Sequence, residues 1–333
     1  MIKRFFTLLG LLIIVLEAYS QSSKEQVNLN IFLRDKNIIS GISEIKSAEL
    51  NSVYGKLSIP IRDVTLIEPG LIPDKSLEPI VITMVNQLAN SSEEKRKSAY
   101  DGLVSMSVYA IPVIADYIDS EKYHPGKQTD YLVEDALEEL MNRYSVSSLE
   151  RNVDVITVNQ EFKIPGEFLF KTISVKTDFG QLLVPKEKIL KIEVSTIFLS
   201  DSGSSGKFYL QASEHINSNH SSGWLKTGIQ IKRGQKVRIS STGEITFQSL
   251  SGNRYNPDGS LNGVRLPEIK AGEYFQPEFG QVIYKIGENS TPRVAGDFLE
   301  GTASQSGMLF LSIYEEEFSS SNTGFYTVSV LTE

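Results

Sequence analysis

Residues 39–67 and 164–192 align without a gap at a constant offset of 125. Ile39, Gly41, Gly55, Leu57 and Pro60 recur as Ile164, Gly166, Gly180, Leu182 and Pro185. Tyr54 matches Phe179, Ile59 matches Val184, and Ile67 matches Ile192. The shared pattern is aromatic–Gly–x–Leu–x–β-branched–Pro, followed by apolar residues four and seven places after the proline. It reads as short strands about a glycine turn. A lone hairpin of this size buries too little apolar surface to be stable, so each copy needs a partner. Either the copies pair as one β-unit built from 27–70 and 153–197, or each forms a small sheet of its own. Mutual pairing is the expected arrangement.

Between the copies, residues 76–149 carry helical periodicity. Ile80, Met84, Val85 and Leu88 recur at helical spacing. Ser91 and Ser92 precede Glu93 and Glu94, a helix start with acids in its first turn. Ala99, Leu103 and Met106 continue that stripe. A further helix is expected over 108–118, with Pro112 near its first turn, where a missing N–H costs least. Leu132, Ala136, Leu137, Leu140 and Met141 mark another amphipathic helix. Arg96, Ala99, Leu103, Ala110, Pro112, Val113 and Ile118 together resemble a HEAT-type repeat. Such units pack helices and contact proteins, so the resemblance implies a protein partner. An array needs three or more repeats, and a plain helical cap on the β-unit is the simpler expectation.

The last third changes character. Alternating runs at Ile229–Ile231, Val237–Ile239, Val282–Ile286, Leu309–Ile313 and Tyr326–Val330 are separated by glycine turns. Short strands at such spacing indicate an antiparallel β-sandwich over 207–333. The Ser/Gly-rich segment within 198–206 reads as the linker into it. The fold class expected is therefore multidomain α+β: a duplicated β-unit split by a helical insert, then a β-sandwich.

An ordered series of elements runs through that sandwich. It comprises Trp224, Thr227-Gly228-Ile229, Gly234, Gly243, Asn256-Pro257-Asp258-Gly259, Phe279-Gly280-Gln281-Val282-Ile283, Gly307 with Leu309, and Asn322-Thr323-Gly324. In this order they resemble the PA-IL type of calcium-dependent, galactose-binding bacterial lectin. The resemblance implies a calcium ion between the last two strands, bridging protein to sugar hydroxyls. Glu316 stands where the family has its metal-binding Asp. Asn322 matches the second of two ligating Asn residues, Ser321 replaces the first, and Phe247 falls on a backbone-carbonyl ligand. With Phe318 from the same loop, the implied metal set is Phe247, Glu316, Phe318, Ser321 and Asn322. Calcium takes six to eight hard oxygens, and this acidic loop is dense in them. The implied sugar contacts are Tyr255, Asn256, Asp258, Glu316 and Asn322. A solvated acidic turn and an ordinary Asn/Gly loop are the plainer readings of the same residues. His215 and His220 read as residues of a solvated polar loop, since no third metal ligand accompanies them.

Composition excludes much chemistry. The 333 residues contain no Cys and three His. Thiol catalysis, disulfides and Cys-based metal sites are therefore impossible. The formal charge of −8 offers no field for nucleic acid. No nucleophile elbow, phosphate loop or dinucleotide fingerprint occurs, so a binding protein rather than an enzyme is expected. Lys3 and Arg4, the apolar run Phe5–Leu16, and small residues Ala18 and Ser20 have the layout of a signal peptide over 1–20. The expectation is an exported protein, periplasmic or extracellular, with no transmembrane anchor once the signal is cleaved. It would bind carbohydrate or glycoconjugate with calcium assistance. The alternative is a cell-envelope structural or adaptor protein that binds protein partners and has no sugar site.

Overall fold

A computed structural model of the chain describes residues 24–126, 130–146, 153–264 and 277–333. The signal segment read at 1–20 lies outside these residues. The first copy of the repeat forms β1 (Lys24–Leu33), β2 (Ile38–Ser43), β3 (Ser47–Ser52), β4 (Gly55–Pro60) and β5 (Val64–Glu68). The insert forms α1 (Glu78–Leu88), α2 (Glu93–Val104), α3 (Ala110–Ile118) and α4 (Val133–Arg143). The second copy forms β6 (Asp154–Val158), β7 (Phe162–Phe168), β8 (Thr172–Thr177), β9 (Gly180–Pro185) and β10 (Ile189–Leu199).

The two copies exchange strands reciprocally. β1 pairs with β10, and its counterpart β6 pairs with β5. β2 crosses onto β8 at Ile42 and Lys176, while β7 crosses onto β3 at Glu167 and Asn51, the positions 125 residues removed. A pseudo-twofold axis passes between β5 and β10, where Ile67 faces its own counterpart Ile192. The shared core gathers Leu29, Ile31, Leu50, Ile67, Ile156, Val175 and Ile192.

These crossings explain the repeated glycines. A Cβ on Gly41 would lie 2.4 Å from the Lys176 carbonyl oxygen, and one on Gly166 would lie 2.4 Å from that of Asn51. Only glycine lets the backbones approach so closely. Gly55 and Gly180 close the two hairpins at φ of +112° and +128°. Ser52 and Thr177 brace those turns alike, each accepting a backbone N–H and donating to the glycine carbonyl.

The insert leaves and returns at one point. The buried Asp154 carboxylate accepts the Gly70 N–H at 2.8 Å and the Phe168 N–H at 2.6 Å, and it pairs with Lys186. Val81, Val85, Leu103, Ile111, Ile114 and Leu140 form the helical core. Among the described residues, no helix is long and apolar enough to cross a membrane.

Residues 198–206 are not a linker. Ile197, Phe198 and Leu199 pair with Gly206, Ser205 and Ser204, so β10 turns directly into β11 (Ser204–Gln211). The composition that suits a flexible linker also suits a tight turn, and here the Ser200 N–H donates to the Gly203 carbonyl at 2.8 Å. The β-unit and the sandwich therefore share one continuous sheet. Beyond it follow β12 (Leu225–Ile231), β13 (Lys236–Phe247), β14 (Asn253–Tyr255), β15 (Val282–Ile286), β16 (Arg293–Val294), β17 (Phe298–Thr302), β18 (Gly307–Ile313) and β19 (Thr323–Thr332). β11, β19, β13, β14 and β17 make one face of the sandwich, and β12, β18, β15 and β16 the other. Phe208, Ile229, Ile239, Phe247, Leu309, Leu311 and Tyr326 fill the space between.

Candidate functional site

Two clusters of polar side chains stand out, one at the loop end of the sandwich and one at its junction with the β-unit. The loop end holds the residues singled out in the sequence, and it does not assemble them as expected. Tyr255 lies in the core, its ring 5.0 Å from that of Phe247, and its carbonyl accepts the Tyr326 hydroxyl at 3.0 Å. It presents no face to a sugar. Asn256 and Asp258 build a turn: the Asn256 carbonyl accepts the Gly259 N–H, and an Asp258 carboxylate oxygen accepts the Ser260 N–H. The Phe247 carbonyl already accepts two backbone N–H groups, from Leu250 at 3.2 Å and Gly252 at 3.0 Å. Ser321 is exposed and bonds Ser319, Phe318 is exposed, and so is Glu316.

The carboxylate that meets Asn322 is Glu315, one residue earlier. It is buried, and its two oxygens accept from the Ser249 hydroxyl and from the Asn322 amide at 3.1 Å. The Asn322 carbonyl oxygen in turn accepts the Gln248 N–H at 2.8 Å, and the Glu315 N–H donates to Asn217 at 2.8 Å. Strand alternation explains the change of acid: Leu309, Leu311 and Ile313 point inward, and the same alternation carries on to Glu315. Burial pushes the Glu315 carboxyl above its ordinary value, and the Ser249 and Asn322 hydrogen bonds pull it partly back. This donor set does not fit a calcium ion. Calcium takes six to eight oxygens, whereas here the Glu315 oxygens already accept from Ser249 and Asn322, the Phe247 carbonyl from two N–H groups, and Glu316 and Ser321 stand exposed outside the knot. Outside this knot, Tyr314 stacks on Phe279 with centroids 5.9 Å apart and donates to Glu316 at 3.3 Å.

The junction cluster escaped the sequence reading. β10 carries Lys191 and Glu193, and the loop after β11 lays Glu214 and His215 against them. Lys191 pairs with Glu214 and, at 3.3 Å, with Glu193; its ammonium also sits 4.1 Å from the Phe32 ring centroid. His215 is not solvated as expected but 2% exposed, while His220 lies at the surface. The His215 Nδ1 accepts the Gln211 N–H at 2.9 Å, which leaves the ring proton on Nε2. That Nε2 faces Glu193 Oε2 at 3.4 Å. Burial pushes the Glu193 carboxyl up, but the neighbouring His215 and Lys191 outweigh it and hold it below its ordinary value. Burial likewise opposes the charge on Lys191, and Glu193 with Glu214 overcome it and raise its pKa.

Glu193 and His215 line two adjoining cavities of about 800 Å³ and about 320 Å³. The signal for this site was Lys191 and Glu193, two residues apart in a strand whose other residues are uncharged. Glu193 is also the second-copy counterpart of Glu68, which lines the larger cavity. Among the described residues, no three His, Asp or Glu side chains are grouped to hold a metal ion.

No family model and no curated protein matches this chain. Among solved structures, it is similar to the EclA N-terminal domain, a PllA-like lectin, at 16% identity, covering 38% of this chain and 95% of that one, with a TM-score of 0.28. A TM-score this low carries no argument about fold or function.

Proposed function

We propose that this chain is an exported binding protein, not an enzyme, that takes carbohydrate or glycoconjugate at the loop end of its sandwich without calcium. The observation that carries this reading is the aromatic–carboxylate pair Tyr314–Glu316, stacked on Phe279 and anchored beside the Glu315 knot. An aromatic face suits the C–H surface of a sugar ring, and a carboxylate and a phenol suit its hydroxyls. The knot ties the loops around Asn217, Ser249 and Asn322 together, so the surface is preorganised and little ordering entropy is lost on binding. A glycan array, run with and without EDTA, tests the reading. Retention of a glycan under both conditions, lost in Tyr314→Ala with Glu316→Ala, is the expected result. Folded protein that retains no glycan overturns it.

A second reading, an adaptor of the cell envelope that binds protein partners, is favoured by one observation. Tyr54 and Phe179, counterparts in the repeat, are 93% and 101% exposed at the two hairpin tips. Neither ring contributes to packing, yet both copies keep one. This reading expects Tyr54→Ser with Phe179→Ser to release the protein from an envelope fraction while leaving its melting unchanged.

A further inference from the structure

Each repeat ends in an edge strand, and the two repeats treat that edge differently. Among the described residues, β4 pairs only with β3, and β9 only with β8. The Lys186 N–H donates to the Lys171 carbonyl at 2.9 Å, which fixes the phase of the β8–β9 ladder. Hydrogen bonding alternates along an antiparallel pair, so Gln181 and Leu183 turn their N–H and C=O groups outward, away from β8. The matching bond from Ile61 to Lys46 sets the same phase in the first repeat, where the outward residues are Lys56 and Ser58. A lysine on an edge strand discourages pairing with another chain. β4 carries one, whereas β9, Gly-Gln-Leu-Leu-Val-Pro, carries no charge. Leu182 and Leu183 on β9 are exposed, Leu183 to 66%. An uncharged edge strand with exposed leucines is open to pairing.

A second molecule of the same chain supplies the complement. With β9 set antiparallel to the partner's β9 and centred on Leu182, Gln181 of each copy meets the partner's Leu183. Both pairs then exchange backbone hydrogen bonds. A register centred on Leu183 would set Gln181 against Pro185, which has no N–H. One centred on Gln181 would set Leu183 against Phe179, whose N–H is bound to the Thr177 hydroxyl. The Leu182 register also carries Phe179, at the hairpin tip, to the partner's Pro185 on the same face of the sheet. Pro185 lines a groove of about 620 Å³, whose apolar walls include Ile72, Pro73, Leu169 and Phe170. Of the charged groups along it, Asp74, Glu167 and Lys171 are exposed, Glu187 is half-buried, and Lys186 is paired with Asp154. The Phe179 ring, fully exposed in the single chain, gains an apolar seat there. Beside it, the exposed Asp178 comes to the partner's Lys186–Lys188, a segment of two lysines and one glutamate. We propose that β9 is a homodimer edge: two copies join their sheets through Gln181–Leu183, each seating Phe179 in the other's groove. Every contact is reciprocal, so the assembly closes as a twofold dimer and does not grow into a fibre. This contact is independent of glycan at the loop end, and it forms in purified protein without an envelope partner.

Sedimentation equilibrium of the purified full chain tests it. Twice the mass of one chain is expected, with dissociation on dilution. Phe179→Ser should weaken association about a hundredfold, tenfold for each of the two rings unseated. Gln181→Lys combined with Leu183→Lys sets like charges opposite each other in both pairs and should leave a monomer. Both side chains are exposed, so the fold should survive, which circular dichroism checks. Tyr54→Ser, at the tip of the first repeat, should leave the dimer intact. Because the chain has no Cys, single thiols read the register directly. Leu182→Cys places two thiols opposite each other at the roughly 4.5 Å Cα separation of a non-hydrogen-bonded pair, within disulfide reach, and should give a covalent dimer on mild oxidation. Leu57→Cys, the counterpart in the first repeat, should not. A monomer at every concentration up to about 100 µM overturns the dimer. So does a dimer that Phe179→Ser and the double lysine variant both leave unchanged, or a Leu182→Cys chain that crosslinks no better than Leu57→Cys.

Discussion

Glu315, buried at the loop end of the sandwich, and Glu193, half-buried where the β-unit meets it, meet the loss of water in opposite ways. Glu315 is surrounded by neutral donors from Ser249 and Asn322, and burial raises its pKa. Glu193 faces Lys191 and His215, which hold its carboxyl low although burial alone would raise it. One site takes neutral donors and knots loops together. The other pairs its acid with Lys191 and His215 beside a cavity.

The comparison breaks first at the junction. Lys191→Met should cost about 1–3 kcal/mol in denaturant unfolding at neutral pH, because Glu193 and Glu214 lose the cation they share. Little or no loss would show that the junction charges are solvated after all. The pH dependence comes next, and its sign differs between the two acids. Glu193 has a folded pKa below its ordinary 4.5, so its stabilisation is present above 4.5 and is lost as pH falls below it. Glu315 has a raised pKa, so the folded state gains relative stability as pH falls through that value, and loses it as pH rises. Measured against wild type in acid titrations of stability, Glu193→Gln and Glu315→Gln should therefore diverge in opposite directions. At neutral pH, Glu315→Gln should change stability by less than about 1 kcal/mol, since an amide oxygen can still accept one of the two donors. A larger loss would mean that the ionised acid holds the loop end together. The smallest expected effect is that of calcium: millimolar calcium and EDTA should give the same melting curve. A calcium-dependent rise would show that a cation displaces Ser249 and Asn322 from Glu315.

Much of the scaffold was legible in the chain. The offset of 125 residues located paired elements to the residue, because glycines that permit backbone crossings and glycines that close turns cannot be replaced cheaply. The alternating runs fell within β12, β13, β15, β18 and β19. The sites were far less legible. Glu316 and Glu315 are neighbours in an acidic run, and the alternation of Leu309, Leu311 and Ile313, carried past the end of β18, turns Glu315 inward. Tyr255 reads as a platform in an Asn-rich loop but fills the space beside Phe247. His215 reads as a loop residue, and only the return of that loop onto β10 buries it against Glu193.

The sequence by itself determined the duplication, the helical character of the insert and the strand-rich last third, since these rest on local periodicity and backbone constraints. Only the tertiary structure decided that β10 runs unbroken into β11, fusing the two β regions into one sheet. That fusion places Lys191 and Glu193 under the loop carrying Glu214 and His215. The physical reason is range. A turn or a strand is set by residues a few positions apart, whereas a buried ion pair across a junction depends on how whole elements pack, which no local pattern encodes.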